Sequence, residues 1–219
     1  GDGGATERRE LIYTLTTNVT SFFREQHHFQ ALQSVILPEL VARARAGGRV
    51  RLWSAGCSTG PEPYSLAMTV LDALPEAASC DVRILATDID PHVLTQAETA
   101  IYSDAQIDGV PEALRKRHLV AVAGTGGARA WRVGDTVRRM VSFRELNLIG
   151  TWPMKGRFDV IFCRNVVIYF DRDTQTRLWS RFAAALVPGG HLFLGHSERI
   201  DTAACAEFRT VGTTIYQRA

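Results

Sequence analysis

Residues 50–68 read VRLWSAGCSTGPEPYSLAM, and this stretch decides the fold class. Its first part, VRLWSAG (50–56), is a short apolar run that ends in small residues, which predicts a buried strand. PEPYSLAMTVLDAL (61–74) has the spacing of a helix and opens with Pro61, a residue that the first helical turn tolerates. A strand that passes through a turn of small residues into a helix is typical of a parallel sheet covered by helices.

The same alternation extends along the chain on both sides of this stretch. Residues 7–46 are predicted to be helical, with an interruption at Thr16–Asn18, where short polar side chains can bond to free backbone amides. The other predicted elements are a strand at 82–90, a helix from Pro91, a stretch at 158–170 that begins as a strand and ends as a loop, a helix at 172–187, a strand at 191–198 and a hairpin at 208–218. The predicted fold is therefore α/β, with a mostly parallel sheet and helices on both faces.

One stretch interrupts this alternation. Residues 115–144 contain short β-like runs separated by glycine-rich turns, which predicts a small antiparallel insertion at about 115–145. The stretch holds eight cations against Asp135 alone and is therefore +7; because the whole chain is +2, the remainder is −5. The cations are Arg115, Lys116, Arg117, Arg129, Arg132, Arg138, Arg139 and Arg144. Two interpretations remain open: a solvated edge hairpin blunted by arginines, and a docking surface for an acidic partner.

The composition excludes several classes of protein. With 219 residues, 46% hydrophobic and 22% charged, the chain can form one well-covered core and is too apolar to be disordered as a whole. Its four cysteines are widely spaced, so neither a zinc cage nor a disulfide framework is expected, and a reducing cytoplasm is the predicted compartment. No apolar run reaches the roughly 18 residues of a membrane span, and residues 1–10 are interpreted as a flexible leader rather than a signal peptide.

Two predicted strand ends carry residues that could hold a ligand, since ligands of open parallel sheets lie beyond the carboxyl ends of the strands. Gly56 allows a tight turn after the first strand, and the Glu62 carboxylate could pair with a ligand ammonium group but would repel a phosphate. Asp88 could accept both hydroxyls of a ribose, whereas Asp90 fits better as the cap of the next helix. These features indicate an adenosine-containing ligand, without separating NAD from S-adenosylmethionine.

A third strand end is also polar. Arg164 and Asn165 follow the apolar run that starts at 158, and Tyr169 comes shortly after them. An arginine at this place could hold a carboxylate in a two-pronged grip; alternatively, it is a surface ion pair and Tyr169 is a packing residue. His27 and His28 are adjacent on a predicted helix, so their rings point differently, and both are interpreted as surface residues rather than metal ligands.

Six blocks of this sequence carry a resemblance to a known family. They are TTNVTSFFRE (16–25), RLWSAGCSTGPEPYSLAM (51–68), ILATDID (84–90), NL (147–148), FDVIFCRNVVIYFD (158–171) and LVPGGHLFLGHSE (186–198). In content and order, these blocks resemble the CheR family, S-adenosylmethionine-dependent methyltransferases that act on glutamate side chains of chemotaxis receptors. The resemblance runs from about residue 10 to the end of the chain. One departure is Pro61, which stands where an acid is common in the family.

The resemblance implies a Rossmann-like methyltransferase sheet with the small β-subdomain inserted. It also implies a residual N-terminal helical segment at 1–46 and a catalytic domain at 47–219. Three residues match proposed catalytic or substrate-side positions: Arg24, which would lie near the transferred methyl group, Arg164 and Tyr169. Positions expected to bind the cofactor are Asn18, Thr20, Arg24, Gly56, Glu62, Asp88, Asn147, Leu148, Asn165 and Val166.

The implied reaction is methyl transfer from S-adenosylmethionine to glutamate side chains, giving methyl esters and S-adenosylhomocysteine for sensory adaptation, without a metal. The expected partners are the cytoplasmic domains of chemoreceptors and a receptor C-terminal tail peptide on the β-subdomain. We expect a cytoplasmic monomer recruited to receptor arrays, with no nucleic-acid partner and no membrane insertion. The alternatives are a methyltransferase for a regulatory protein outside chemotaxis, a non-catalytic scaffold that binds S-adenosylmethionine, and an NAD-dependent oxidoreductase, which the missing GxGxxG disfavours.

Overall fold

The computed structural model describes residues 20–202 and 205–219, and its centre is a seven-stranded sheet. The strands of the described residues are β1 (Val50–Ala55), β2 (Val82–Asp88), β3 (Ile101–Ser103), β4 (Leu119–Ala123), β5 (Arg129–Val133), β6 (Val141–Glu145), β7 (Phe158–Cys163), β8 (Leu186–Leu194), β9 (Phe208–Gly212) and β10 (Ile215–Arg218). The main sheet has the order β6-β2-β1-β7-β8-β10-β9. Its first five strands are parallel, and the hairpin of β9 and β10 adds two antiparallel strands at one edge. The predicted α/β fold and the predicted terminal hairpin are confirmed.

Helices cover both faces of the main sheet. Consecutive residues of β1 point to opposite faces, so Leu52 and Trp53 are both fully buried but belong to different apolar clusters. The helices are α1 (Gln26–Ala31), α2 (Leu37–Arg45), α3 (Pro61–Ala73), α4 (Pro91–Thr99), α5 (Glu112–His118), α6 (Asp135–Arg138) and α7 (Arg172–Ala185). Side chains of α1 to α4 join the cluster of Leu52, and those of α7 join the cluster of Trp53. Within the described residues, no helix is both long and apolar enough to cross a membrane.

The helical segment before β1 packs directly on the sheet. A π-helical turn (Leu32–Ile36) joins α1 to α2, so the segment is helical from Gln26 to Arg45. Residues 20–25 also lie in the predicted helical range, but they form turns and bends, because Phe23 and Glu25 have a positive φ that a right-handed helix does not allow. Arg43 of α2 forms an ion pair with the buried Asp159 of β7, whose second oxygen accepts the Arg51 N–H at 2.8 Å. The predicted interruption at 16–18 lies outside the described residues.

The insertion has different limits from those predicted. The small antiparallel sheet has the order β3-β5-β4, so it recruits a strand that begins at Ile101, before the predicted start. At the other end, β6 is not part of it, because Val141 pairs with Ile84 in the parallel main sheet. The sequence could not show this, since a three-residue strand is too short for a periodic pattern.

These limits change the charge of the insertion. Residues 101–140 hold seven of the eight cations, because Arg144 lies on β6 of the main sheet. They also hold the acids Asp104, Asp108 and Glu112 in addition to Asp135, which gives +3 rather than +7. The insertion is therefore basic, but less so than the sequence indicated.

A smaller difference concerns β8. The helix predicted at 172–187 ends at Ala185, and β8 begins at once with Leu186. Pro188–Gly190 lie inside the strand rather than before it, and the pairing register with β7 shifts between Phe158 and Val160. An irregularity of this kind accommodates a proline and glycines in a strand.

Candidate active site

The predicted ligand residues meet at one edge of the main sheet. Gly56 follows β1, Asp88 ends β2, Asn147 follows β6 and Asn165 follows β7. Because these strands are parallel, their carboxyl ends share an edge. This edge is the candidate active site.

The turn after β1 brings two strand ends together. The N–H groups of Gly56 and Cys57 both donate to the Thr87 carbonyl of β2, at 2.8 and 2.9 Å. Gly56 has a φ of 83°, and a Cβ at this position would overlap Cγ2 of Val166. The turn thus requires a glycine, and the group that approaches it closely is the side chain of Val166, next to β7.

Asp88 is held by backbone amides. Its Oδ2 accepts the Ser58 N–H at 2.8 Å, and its Oδ1 accepts the Asp90 N–H at 3.1 Å. Burial raises the pKa of the Asp88 carboxyl, and these amide bonds oppose that rise. Asp90 caps α4 by accepting the His92 N–H at 2.8 Å, which confirms the cap predicted from sequence.

The residues after β6 lie beside Asp88. The Leu146 N–H donates to the Asp88 carbonyl at 2.9 Å, which places the next two residues at the site edge. Asn147 is exposed, and its Oδ1 accepts the Ile149 N–H at 2.9 Å. Leu148 is buried, and its carbonyl accepts a bond from Arg181 at 2.6 Å.

Glu62, in the first turn of α3, is bound to groups from β1 and from the end of β7. Oε1 accepts the Ser54 hydroxyl at 2.7 Å, and Oε2 lies 3.3 Å from Nη1 of Arg164. Burial raises the pKa of the Glu62 carboxyl, while the Arg164 charge and the Ser54 bond oppose the rise. The carboxylate is therefore partly compensated by the groups around it.

Arg164 is placed differently from the sequence expectation. Its side chain is only 2% exposed, and it lies between Glu62 and Glu25, with Nη2 at 3.5 Å from Glu25 Oε2. Nη2 also donates to the backbone carbonyl of Arg24. A guanidinium engaged in this way does not present its two-pronged face to an incoming carboxylate, nor is it the surface ion pair considered as the alternative.

Arg24 lies in a segment fixed at both ends. The Phe23 N–H donates to Ser65 Oγ of α3 at 3.0 Å, and Phe23 and Glu25 both have positive φ, 53° and 55°. Phe22 packs edge-on against Tyr102 of the insertion, and a Cβ at Gly109 would overlap the Phe22 carbonyl. The half-buried Arg24 is thus held between the insertion and the end of β7. Thr20 is the first described residue, and Asn18 lies outside the described residues.

Sequence reasoning missed Glu25, which joins several parts of the site. Besides Arg164, it contacts Nδ1 of His28 at 3.4 Å and Nδ1 of His196 at 3.3 Å. Burial raises the pKa of the Glu25 carboxyl, but the Arg164 charge and the bonds from His196 outweigh burial and lower it. A single acid inside the block TTNVTSFFRE carried no signal, because Arg164 and His196, two of its three partners, lie far away in the sequence.

Both histidines were predicted to lie at the surface, and this prediction is correct for His27 and wrong for His28. His27 is exposed, but His28 is fully buried, with Nε2 at 2.8 Å from Thr214 Oγ1. Burial and the charge of Arg164 lower the pKa of His28 to about 3. Glu25, His27 and His28 offer ligand atoms within 4.8 Å of one another, but the adjacent Arg164 guanidinium disfavours a cation there.

The loop after β7 completes the site. Asn165 has a φ of 59°, and its N–H and those of the next residues donate to the carboxylate of Glu198. Glu198 is 3% exposed and follows β8 in the block GHSE; sequence reasoning gave it no role. Tyr169, at the end of the loop, is 51% exposed at the rim.

The geometry can be compared with known proteins. Residues 18–217 match the family described as CheR methyltransferase, SAM binding domain. A probable chemotaxis protein methyltransferase of Rhizobium etli is 52% identical over 98% of this chain and 80% of its own length. Chemotaxis protein methyltransferase 2 of Pseudomonas aeruginosa is 43% identical, over 97% of this chain and 74% of its own. The chemotaxis protein methyltransferase of Klebsiella aerogenes is 42% identical, with coverages of 98% and 71%. The family match spans nearly the whole described chain and includes each strand end of the candidate site, so the chain belongs to the CheR methyltransferase family and carries its S-adenosylmethionine-binding domain.

Proposed function

We propose that this chain transfers a methyl group from S-adenosylmethionine to glutamate side chains of chemotaxis receptors. Membership of the CheR family makes it a methyltransferase that uses S-adenosylmethionine. The structural observation that supports the finer proposal is the direct linkage of Arg24, Glu62 and the end of β7 through Arg164 at one sheet edge. The names of its relatives, which are chemotaxis protein methyltransferases, support a substrate in the chemotaxis system, and the receptors are our proposal for that substrate.

The residues at this edge fit the two polar ends of the cofactor. Each oxygen of Asp88 accepts one backbone amide and keeps acceptor capacity for a ribose hydroxyl. Because burial raises the pKa of Glu62, a second cation beside it would be stabilising, as the cofactor's ammonium group would provide. Asn147 and Leu148 are assigned to the adenine and ribose, and Asn165 and Val166 to the methionine part. Thr20, Asn18 and the Gly56 turn complete the proposed binding site.

The chemistry needs positioning rather than a general base. When bound, the cofactor supplies a methyl group already activated by its sulfonium. A glutamate carboxylate is already ionised at neutral pH, so no proton has to be removed. The charges of carboxylate and sulfonium cancel as the methyl moves, which favours a site that excludes water. Arg24 orients the carboxylate at the edge, and Tyr169 lines the rim on the substrate side.

Arg164 acts in this proposal as a positioning residue rather than as a substrate contact. Its bond to the Arg24 carbonyl fixes the Arg24 backbone, and its ion pair with Glu62 fixes the acid proposed to bind the cofactor. A substrate carboxylate bound as tightly as Glu62 would be stabilised in the ground state, which slows the transfer. The buried place of Arg164 avoids this.

The experiment that tests the proposal uses S-adenosylmethionine labelled in the methyl group and receptor cytoplasmic fragments. We expect base-labile label on the fragments, and none on fragments whose candidate glutamates are changed to alanine. Base-stable label would contradict the glutamate ester. Binding of S-adenosylhomocysteine without any transfer would favour the non-catalytic scaffold, and label on another regulatory protein alone would favour the other alternative.

The proposed role of Arg24 can be tested by substitution. Arg24→Ala should lower kcat by about 100-fold or more, as expected for loss of a group that orients the reacting atoms. The affinity for S-adenosylhomocysteine, measured by calorimetry, should change by less than about threefold, since the backbone bonds of the segment remain. Equal turnover of variant and wild type would contradict the role.

The insertion is the proposed docking surface for a receptor tail. Among the residues that the structure describes, β4 of the small sheet pairs with β5 alone, and Val120 of β4 is 50% exposed, so an added strand could pair with this edge. The net charge of +3 for residues 101–140 suits an acidic partner. The cytoplasm as compartment, the monomeric state and the absence of a metal remain parts of the proposal.

A further inference from the structure

The carboxylate of Glu198 is surrounded by backbone N–H donors. Oε1 accepts from Val166 and Val167 at 2.8 and 2.9 Å and, more weakly, from Ile168 at 3.4 Å. Oε2 accepts from Asn165 at 2.9 Å and from Gly195 at 2.6 Å. The acid therefore ties the loop after β7 to the loop after β8.

Only a carboxylate satisfies this set of donors. An ionised acid has about four acceptor sites on two oxygens and no hydrogen to donate. Glutamine has the same shape, but its NH₂ group would face N–H donors and leave them without a partner. Because Glu198 is 3% exposed, water cannot readily supply the missing acceptor.

The same contact holds a residue with an uncommon backbone conformation. Asn165 has a φ of 59°, in the left-handed region that most residues with a side chain avoid and that asparagine tolerates better than most. A Cβ at Gly195 would lie 2.6 Å from Asn165 Nδ2 and 2.7 Å from its N. Gly195 and Glu198 thus contact Asn165 from two sides and fix its position.

The loop after β7, which Glu198 holds in place, forms the β7 side of the active site. Val166, whose N–H is bound by Glu198, packs against the Gly56 turn so closely that a Cβ there would overlap it. Arg164 immediately precedes Asn165 and Val166, and it bonds to Glu62 and to the Arg24 carbonyl. A shift of this loop would move the contacts assigned to the methionine part of the cofactor.

We propose that Glu198 is a positioning residue for methyl transfer, which holds Asn165 and Val166 in the geometry that binds the methionine part of the cofactor. It does so through backbone amides and does not itself touch the cofactor. This inference rests on the proposed cofactor site at this edge. A purely structural role would lower stability and leave the binding properties of the folded protein unchanged.

The test compares Glu198→Gln with Glu39→Gln, the same chemical change at an exposed position on α2. Both are measured by calorimetry at a temperature where circular dichroism shows the variants to be folded. For Glu198→Gln we expect the Kd of S-adenosylhomocysteine to rise about 10-fold or more, since two or more bonds to a charged group are disturbed. The Kd of adenosine, which lacks the homocysteine part, should stay within about twofold. Glu39→Gln should change neither.

Two further variants keep the test decisive. Glu198→Asp retains the carboxylate on a shorter side chain and should therefore bind S-adenosylhomocysteine more tightly than Glu198→Gln does. If Glu198→Gln does not fold, Glu198→Asp takes its place in the comparison with Glu39→Gln. The combination with Asn165→Ala should weaken binding by less than the product of the two single effects, because both act through one loop. Unchanged binding of S-adenosylhomocysteine by folded Glu198→Gln, or equal weakening of both ligands, would overturn the positioning role. Failure of the wild type to bind S-adenosylhomocysteine would instead refute the proposed site and, with it, this inference.

Discussion

Arg164→Gln should strongly destabilise the protein, because it leaves two carboxylates without their shared cation. The side chain of Arg164 is 2% exposed, and those of Glu25 and Glu62 are 11% and 12% exposed, so water screens this cluster little. Removing one partner of a buried ion pair costs about 3–5 kcal/mol. For a chain of this size, that corresponds to a fall in Tm of roughly 6–20 °C.

The loss should depend on pH in a defined direction. In the wild type, the pKa of Glu25 is lowered in the folded state, so its contribution is present above its unfolded pKa and is lost as the pH falls through the folded value. Without Arg164, the pKa of both acids rises, and the folded state then takes up protons that the unfolded state releases. The free-energy deficit of Arg164→Gln should therefore be large near pH 7.5 and shrink toward about pH 5.

Urea denaturation at both pH values measures this deficit. The control is Arg45→Gln, which breaks an exposed ion pair with Glu76 and should change stability little. The triple variant with Arg164→Met, Glu25→Gln and Glu62→Gln should recover much of the loss, because no buried charge then lacks a partner. An Arg164→Gln variant as stable as the control at pH 7.5, or an equal deficit at both pH values, would refute the reasoning.

Three further predictions concern Asp88, the turn after β1 and the insertion. Asp88→Glu should raise the Kd of S-adenosylhomocysteine in calorimetry about 10-fold or more, because a longer side chain cannot keep both amide bonds and both ribose contacts; unchanged affinity would reject the ribose assignment. Gly56→Ala should lower the free energy of unfolding by roughly 2–4 kcal/mol, because the alanine would have a positive φ and its Cβ would overlap Val166. The control is Gly126→Ala, which also has a positive φ but faces open space, and it should lower the free energy of unfolding by only about 1 kcal/mol. Arg138→Gln with Arg139→Gln should raise the KM for receptor severalfold at low salt and lose this effect near 0.5 M salt, since exposed charges are screened; the same KM at low salt would remove these residues from the docking surface.

The parts of the site that the sequence predicted are local. Gly56 and Asp88 lie at strand ends that hydrophobic patterning can place, and Glu62 lies in the first turn of the helix that follows β1. A parallel sheet brings such strand ends to one edge. The cap at Asp90 depends on its own helix alone. For these residues, the identity of the side chain and its distance from the strand end were enough to predict where the structure places them.

The parts that the sequence could not show depend on distant pairs. Arg164 meets Glu62 across 102 residues and the Arg24 carbonyl across 140, so its burial cannot be read from its neighbours. Glu198 is bound by backbone amides, which every residue except proline carries and which therefore leave no trace in the sequence. His28 is buried by residues from the other end of the chain, as its contacts with Phe193 of β8 and with Thr214 show.

The segment that carries Arg24 touches both the insertion, at Gly109, and the main sheet, through Arg164. A protein docked on the insertion and a cofactor bound at the sheet edge would therefore act on the same short piece of backbone. If docking shifts this piece, thermodynamic reciprocity requires that the cofactor change the affinity for the docked partner by the same factor. Partner docking and cofactor binding would then be coupled steps, and a docked partner would change the catalytic site as well as hold the enzyme in place.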